Sequence, residues 1–265
     1  MFVQLVTDGL AVGGLYALTA VGVVVVFRNT RTINLAQGDF AMMGAFIALL
    51  LLKGLGLHYL AAVAITVIAV MGIGVVVERV VMRPLADSDW LILFHATLGV
   101  YFILHGVAGF LWGRDTKAFP ITFDTTPVDF LGAAISKGHL INVSWTIAIG
   151  IVLFLFFKYT RQGIALRAVT DDPEVARMMG IPVRFIVMLT WAVAGFLAAF
   201  AGVLTAPIIY VSPEMMDDVL IKGYVAAVFG GLYSIPGAII GALMIGVAEN
   251  LAGGYIGSHY KTVTA

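Results

Sequence analysis

The chain has 265 residues, 61% of them hydrophobic and 11% charged, with zero formal net charge and no cysteine. A soluble domain is about 45–50% apolar and about 25% charged, so this composition excludes one, and the balanced charge offers no global field for nucleic acid. Without cysteine there is no disulfide framework, thiolate nucleophile or Cys-ligated metal, and the chain reads as an all-α, polytopic integral membrane protein.

A helix needs about 20 apolar residues to cross the hydrocarbon. The opening MFVQLVTDGL lacks a basic leader and a small-residue cleavage site, so it reads as the lead into a retained helix. Residues 9–27 carry no charge and form the first span. Residues 33–52 qualify only if Gln37 and Asp39 lie inside the membrane. Residues 59–77, Trp90–Trp112, 140–157 and 185–210 are uncharged, the last with Pro207 near its end. Residues 223–248 are also uncharged, but SIPG at 234–237 cuts them. Proline lacks a donor and disfavours helix at the preceding residue, so two elements with a break are expected. The expected fold is a bundle of about eight membrane elements, some broken or re-entrant.

Every arginine except Arg114 falls in three places: Arg28 and Arg31; Arg79 and Arg83; Arg161, Arg167, Arg177 and Arg184. With these helices all three lie on one side, which the positive-inside rule makes cytoplasmic. The N-terminus and residues 53–58, 113–139 and 212–218 then face outward. The outer loop 113–139, with Pro120 and Pro127, is long enough for a small cap.

The string INLAQGDF places Asn34, Gln37 and Asp39 in a required span beside Gly38. Polar groups within the membrane mark pathways by default, and a span that begins irregularly and turns helical near Phe40 resembles the broken helices of transporters. The competing reading is structural, with Asn34 or Asp39 capping a helix start. Small residues recur at Gly38, Gly44 and Ala45, and at Gly237, Gly241 and Ala242. Helix packing is their expected role, and two short strings do not establish an internal duplication. His95 and His105 have no metal-ligand spacing, so no metal site is expected. Glu249 and Asn250 read as a helix end or interhelical hydrogen bond, with solute contact as the alternative.

Between two spans lies the charged segment TDDPEVARMMGIPVR (residues 170–184), within a cytoplasmic loop 161–184. Thr170, Asp171 or Asp172 can cap a helix with Pro173 at its first position and Glu174 in its first turn. Gly180 ends it after about two turns, with Ile181 and Pro182 as the stop. No GxSxG elbow and no GxxxxGK[ST] phosphate loop is present, so any ATP is bound by another chain.

Glu174-Val175-Ala176, three residues, then Gly180 matches the E-A-A-x3-G pattern of coupling loops in ABC importer permeases, with valine in the middle place. The strings GLAVGGLYALTAVGVVVVF, RTINLAQGDFAMMGAF, ERVVMRPL, RAVTDDPEVARMMGI and VFGGLYSIPGAIIGA extend the resemblance almost end to end. The chain resembles the permease family of branched-chain (hydrophobic) amino acid ABC importers, closest to the first of its two paired permeases. The resemblance implies a single transmembrane domain over residues 1–265 in a bacterial inner membrane. It also implies a second permease subunit, two cytosolic ATPases that hold ATP and Mg, and a periplasmic binding protein. It maps Glu174, Ala176, Arg177, Gly180 and Ile181 onto the ATPase contact, and the segment Asn34, Gln37, Gly38 and Asp39 onto the solute path. Family members continue past Ala265 through another apolar helix and a basic tail, so the C-terminal helix is expected to be missing. The same scaffold carries aromatic acids, amides or urea, and no charged pair here recognises an amino acid's ammonium and carboxylate. An ion-coupled secondary transporter is the alternative class, with Asp39, Glu249, His95 and His105 as its available ionisable groups.

Overall fold

In lipid the backbone has only itself as a hydrogen-bond partner, which commits apolar segments of this length to helix. The computed structural model describes residues 2–120, 127–130, 133–255 and 257, with side chains omitted for 127–130 and 133–140. Among the described residues, seven helical stretches are long and apolar enough to cross a membrane. They contain α1 (Phe2–Thr30), α2 (Gln37–Leu49), α3 (Tyr59–Val77), α4 (Trp90–Trp112), α5 (Lys137–Tyr159), α8 (Val183–Ile209) and α10 (Ile235–Tyr255). An eighth element, α9 (Asp217–Gly230), is shorter, and α6 (Arg161–Asp171) and α7 (Pro173–Met178) fill the charged loop.

Several boundaries move from their expected places. The first helix begins at Phe2 and runs to Thr30, well beyond 9–27. The second begins at Gln37 and not near Phe40, because a turn already closes there: Gln37 N–H reaches the Asn34 carbonyl at 3.3 Å and Phe40 N–H reaches Ala36 at 3.0 Å. It then continues as a π-helical turn, Leu50–Gly54. The break in 223–248 falls at residues 231–234, where Gly231 takes φ +93°. The charged loop holds two helices where one was expected. In the loop 113–139, β1 (Pro127–Phe130) pairs antiparallel with β2 (Ala133–Ser136), and Lys117 bridges to Val211. The expected ending at Tyr260–Ala265 lies outside the described residues.

The core forms around α1 and α8, where Val23, Val24, Trp191, Leu197, Phe40 and Phe46 are fully buried. Small residues set how closely these helices approach, as membrane packing without an interhelical hydrophobic drive requires. A Cβ on Gly9 would lie 2.7 Å from the Val247 Cα, and one on Gly13 2.9 Å from the Leu243 Cα, so α1 and α10 pack antiparallel, backbone on backbone. On the other side, a Cβ on Gly195 of α8 would lie 2.6 Å from the Val70 carbonyl of α3. Gly44 sits against Ala199, and Gly241 against Ala226, in the packing roles expected of them.

These contacts repeat with inversion. Helix α1, the non-helical segment 31–36, α2 and α3 form one unit; α8, the segment 210–216, α9 and α10 form the other. Helix α1 packs on α8, α9 and α10, while α8 packs on α1, α2 and α3. Arg31 (φ +56°) and Tyr210 (φ +67°) are the non-glycine positive-φ residues of the described chain, and each breaks the chain directly after the long helix of its unit. The end of α1 lies beside α6, through Thr170 Oγ1 to Asn29 Oδ1 at 3.1 Å, near the start of α8. The two units therefore run in opposite senses, an arrangement shared by many transporters.

Candidate functional site

The charged loop is a capped helical hairpin held to the bundle by its own small core. Thr160 Oγ1 accepts the Gly163 N–H at 2.9 Å and starts α6. Asp172 Oδ1 accepts the Glu174 and Val175 N–H groups at 2.8 and 3.0 Å, making it the cap of α7 with Pro173 at the first position. At the far end Gly180 takes φ +81°. Its N–H reaches the Arg177 carbonyl and the Ile181 N–H reaches Ala176, both at 3.0 Å. This is the Schellman arrangement, which places glycine where a side chain meets strain.

The predicted coupling residues divide by direction. Ala176 is buried with Leu166, Val169 and Ile186, so it anchors α7 to its own chain. Glu174, Arg177 and Gly180 are exposed and Ile181 is half-buried. Beside them Val175, Met178 and Met179 are exposed, the two methionines at 83% and 78%. Sequence reasoning passed over those methionines, although MM directly before a helix-ending glycine in a charged segment was their signal.

The second site lies where the two broken units meet. Asn34 and Gln37 are wholly buried. Asn34 Nδ2 donates to Gln37 Oε1 at 3.1 Å, Asn34 Oδ1 accepts the Ala36 N–H at 3.1 Å, and Gln37 Nε2 donates to the Ala194 carbonyl of α8 at 3.1 Å. Ala36 occupies the cap position and makes no side-chain cap bond; Asn34, through its Oδ1 on the Ala36 N–H, closes the turn that leads into the helix, and Asp39 lies inside its first turn. The exposed backbone of 33–35 is satisfied by neighbours. Thr97 Oγ1 of α4 donates to the Ile33 carbonyl at 3.1 Å and lies 3.3 Å from the Leu35 N–H, and the Tyr224 hydroxyl of α9 donates to the Asn34 carbonyl. Gly38 lies against Leu220, which brings the first turn of α2 beside the first turns of α9. Asp39 is buried and faces His105 of α4 at 3.4 Å. His105 also lies 4.0 Å from Glu214, and Asp217 and Asp218 are exposed nearby in the first turn of α9. A carboxylate at a helix N-terminus suits the dipole.

A third cluster includes a residue that sequence reasoning missed. Lys222 Nζ lies 2.6 Å from Glu249 Oε1 and 3.3 Å from the Tyr16 hydroxyl, which donates to Glu249 Oε2 at 2.8 Å. This triad pins α9, α10 and α1 together, fulfilling the interhelical reading of Glu249. The missed signal was a lone lysine in the apolar run VLIKGYVAAVF, just outside the span drawn from 223. His95 makes a local contact, its Nδ1 2.7 Å from the Leu91 carbonyl.

Comparison with known proteins agrees with this architecture. The family model described as "Branched-chain amino acid transport system / permease component" matches residues 5–264. The chain is similar to the high-affinity branched-chain amino acid transport system permease protein LivH of Escherichia coli (strain K12), 31% identical over 277 residues, covering 100% of this chain and 90% of that relative. It is similar to BraD of Pseudomonas aeruginosa, 34% identical over 280 residues with the same coverage, and to a probable LivH of Methanocaldococcus jannaschii, 31% identical over 259 residues, covering 94% and 80%. A match over nearly every residue, on a polytopic all-α bundle, places this chain in the branched-chain amino acid transport system permease family.

Proposed function

We propose that the chain is the transmembrane permease subunit of an ATP-binding cassette importer, forming the path for branched-chain and other hydrophobic amino acids. Its partners are a second permease subunit, two cytosolic ATPases carrying ATP and Mg, and a solute-binding protein on the outer side of a bacterial inner membrane. The arginine-bearing end faces the cytoplasm. One observation carries the ATPase assignment: α7 stands outside the spans, is capped at both ends, and presents Val175, Met178 and Met179 uncovered beside Glu174 and Arg177. Exposed methionines on a rigid polar helix suit an adaptable apolar contact. The docked helix transmits the ATPase arrangement to α8 and α6 through Ala176, and a population shift of this kind needs contacts that differ between the two states.

The solute path follows the junction of α2 and α9. Asn34 and Gln37 hold its hinge, Gly38 lets α2 and α9 approach, and Asp39 with His105 offers polar groups to a passing ammonium. The second permease covers the exposed face at Glu214, Asp217 and Asp218. The test of the ATPase assignment is the double substitution Met178→Asp/Met179→Asp in the assembled transporter. The expected result is normal membrane insertion with loss of the co-purifying ATPases and of uptake. ATPases retained at wild-type level with normal leucine uptake would refute the docking assignment.

A further inference from the structure

Helix α5 is the least embedded of the long helices, with only 17% of its span window buried. It meets α1 closely at Thr146 against Gly14, where an added Cβ would come within 2.9 Å of Thr146 Oγ1. On the side toward α10 the helices part, leaving two cavities of about 400 and 300 Å³ that share Gly150, Leu153 and Ile239 as walls. Together they make one furrow along α1, from the level of Arg28 to that of Leu10. Eighteen residues at 1.5 Å rise put that at about 27 Å, close to the hydrocarbon thickness.

The furrow is apolar along its length and basic at one mouth. Arg28 from the last turn of α1, Lys158 from the last turn of α5 and Arg167 from α6 line that mouth. Arg28 Nε is buried without a hydrogen-bond partner, so the guanidinium has a donor to spare. Asp171 offsets part of the charge on Arg28 and does not line the mouth. Lys158 Nζ rests 5.1 Å from the centre of the Phe154 ring, keeping its head at the furrow's end.

We propose that this furrow is a site for an anionic phospholipid, one acyl chain lying between α5 and α10 and the phosphate held by Arg28, Lys158 and Arg167. The half of the furrow next to this mouth is about one leaflet deep, about 15 Å, and takes an acyl chain, and the convergent cations call for a phosphate; a zwitterionic lipid adds an ammonium that this mouth repels. Basic pockets between membrane helices at the cytoplasmic side recognise anionic head groups by this chemistry, and guanidinium forks match phosphate oxygens. Because Arg167 belongs to α6, the bound lipid joins the loosely packed α5 to the segment that carries α7.

Gly150 makes the proposal testable without touching the cations. Nothing lies within 4 Å of a Cβ placed there, so a large side chain enters the furrow and not a neighbouring backbone. The assembled transporter is exchanged into nanodiscs containing phosphatidylglycerol or phosphatidylcholine with identical acyl chains, then released for native mass spectrometry. Wild type is expected to retain phosphatidylglycerol at least fivefold over phosphatidylcholine. Arg28→Gln/Arg167→Gln should erase that preference, and Gly150→Phe should lower retention of both lipids, while Gly150→Ala behaves as wild type. Should the arginine variant fail to assemble, Gly150→Phe decides the question alone. Equal retention of the two lipids by wild type, or undiminished phosphatidylglycerol on Gly150→Phe, would overturn the proposal. So would efficient cross-linking of a cysteine at position 150 to another protein chain, since protein would then fill the furrow.

Discussion

The triad of Tyr16, Lys222 and Glu249 gives the sharpest energetic test of how this bundle holds together. Lys222 and Glu249 are about one-tenth exposed and in direct contact at 2.6 Å. Removing one partner of a buried ion pair leaves an unpaired charge and costs about 3–5 kcal/mol. Lys222→Met and Glu249→Leu should each lose that much, because the Tyr16 hydroxyl alone can neutralise neither charge. Tyr16→Phe removes two interhelical hydrogen bonds but leaves the ion pair intact, and at about 0.6 kcal/mol for an average bond of this kind should cost only about 1–2 kcal/mol. The double variant Lys222→Met/Glu249→Leu should recover most of the loss, since well-packed apolar residues replace a buried pair at little or no cost. The midpoint of thermal unfolding of the detergent-purified protein reads this out. At about 2–4 °C per kcal/mol, each charge-removing single variant should fall by roughly 6–20 °C and the double variant by a few degrees. Additive losses in the double variant, or a Lys222→Met protein as stable as wild type, would refute the reasoning. Either result would mean that the two charges do not depend on one another inside the bundle.

Gly180→Val should abolish ATPase-coupled uptake of leucine while the permease still inserts, because a β-branched residue at φ +81° is strained; wild-type uptake would remove α7 from the coupling role. Gln37→Leu strands the Ala194 carbonyl and the Asn34 amide, at about 1–3 kcal/mol, and should depress uptake more than it depresses assembly; unchanged uptake and stability would detach the 33–37 segment from the path. In this cysteine-free chain, Lys117→Cys should react with an impermeant external reagent in intact cells and Arg177→Cys should not; the reverse pattern would invert the orientation.

The long elements were legible because lipid leaves apolar segments no alternative to helix, and the cap chemistry of α7 was legible residue by residue. Pro173 at the first position, Glu174 in the first turn and Gly180 at the end are local signals that need no tertiary contact. The start of α2 lies ahead of Phe40 because Asn34 closes a turn onto Ala36 and Gln37 before it. In the fold, Asn34 spends its side chain on Gln37 and Ala36, and Asp39 turns to His105. The partners that settle this, Thr97, Ala194 and Tyr224, come from three other helices, and no spacing within 33–40 announces them. Lys222 was lost for a related reason: a charge at the edge of an apolar run looks like a boundary until its partner on α10 is known.

The inverted repeat was hidden in the same way. The small-residue strings at Gly38–Ala45 and Gly237–Ala242 look like copies, yet they belong to non-equivalent helices, α2 and α10. The counterparts in chain order are Arg31 and Tyr210, which break the chain after α1 and α8, and different groups then satisfy each broken segment. After α1 the exposed backbone is paired by Thr97 and Tyr224; after α8, Val211 pairs with Lys117. The two units thus solve one problem, a helix that must restart inside the bundle, with unrelated partners. The asymmetry gives the junction its character. Its α2 side is locked by buried amides, while its α9 side carries Glu214, Asp217 and Asp218 on an open face. The α9 half is tied instead to α1 and α10 through Lys222, Glu249 and Tyr16, so each half of the junction is held by buried polar groups that reach across to other helices, amides on one side and an ion pair on the other.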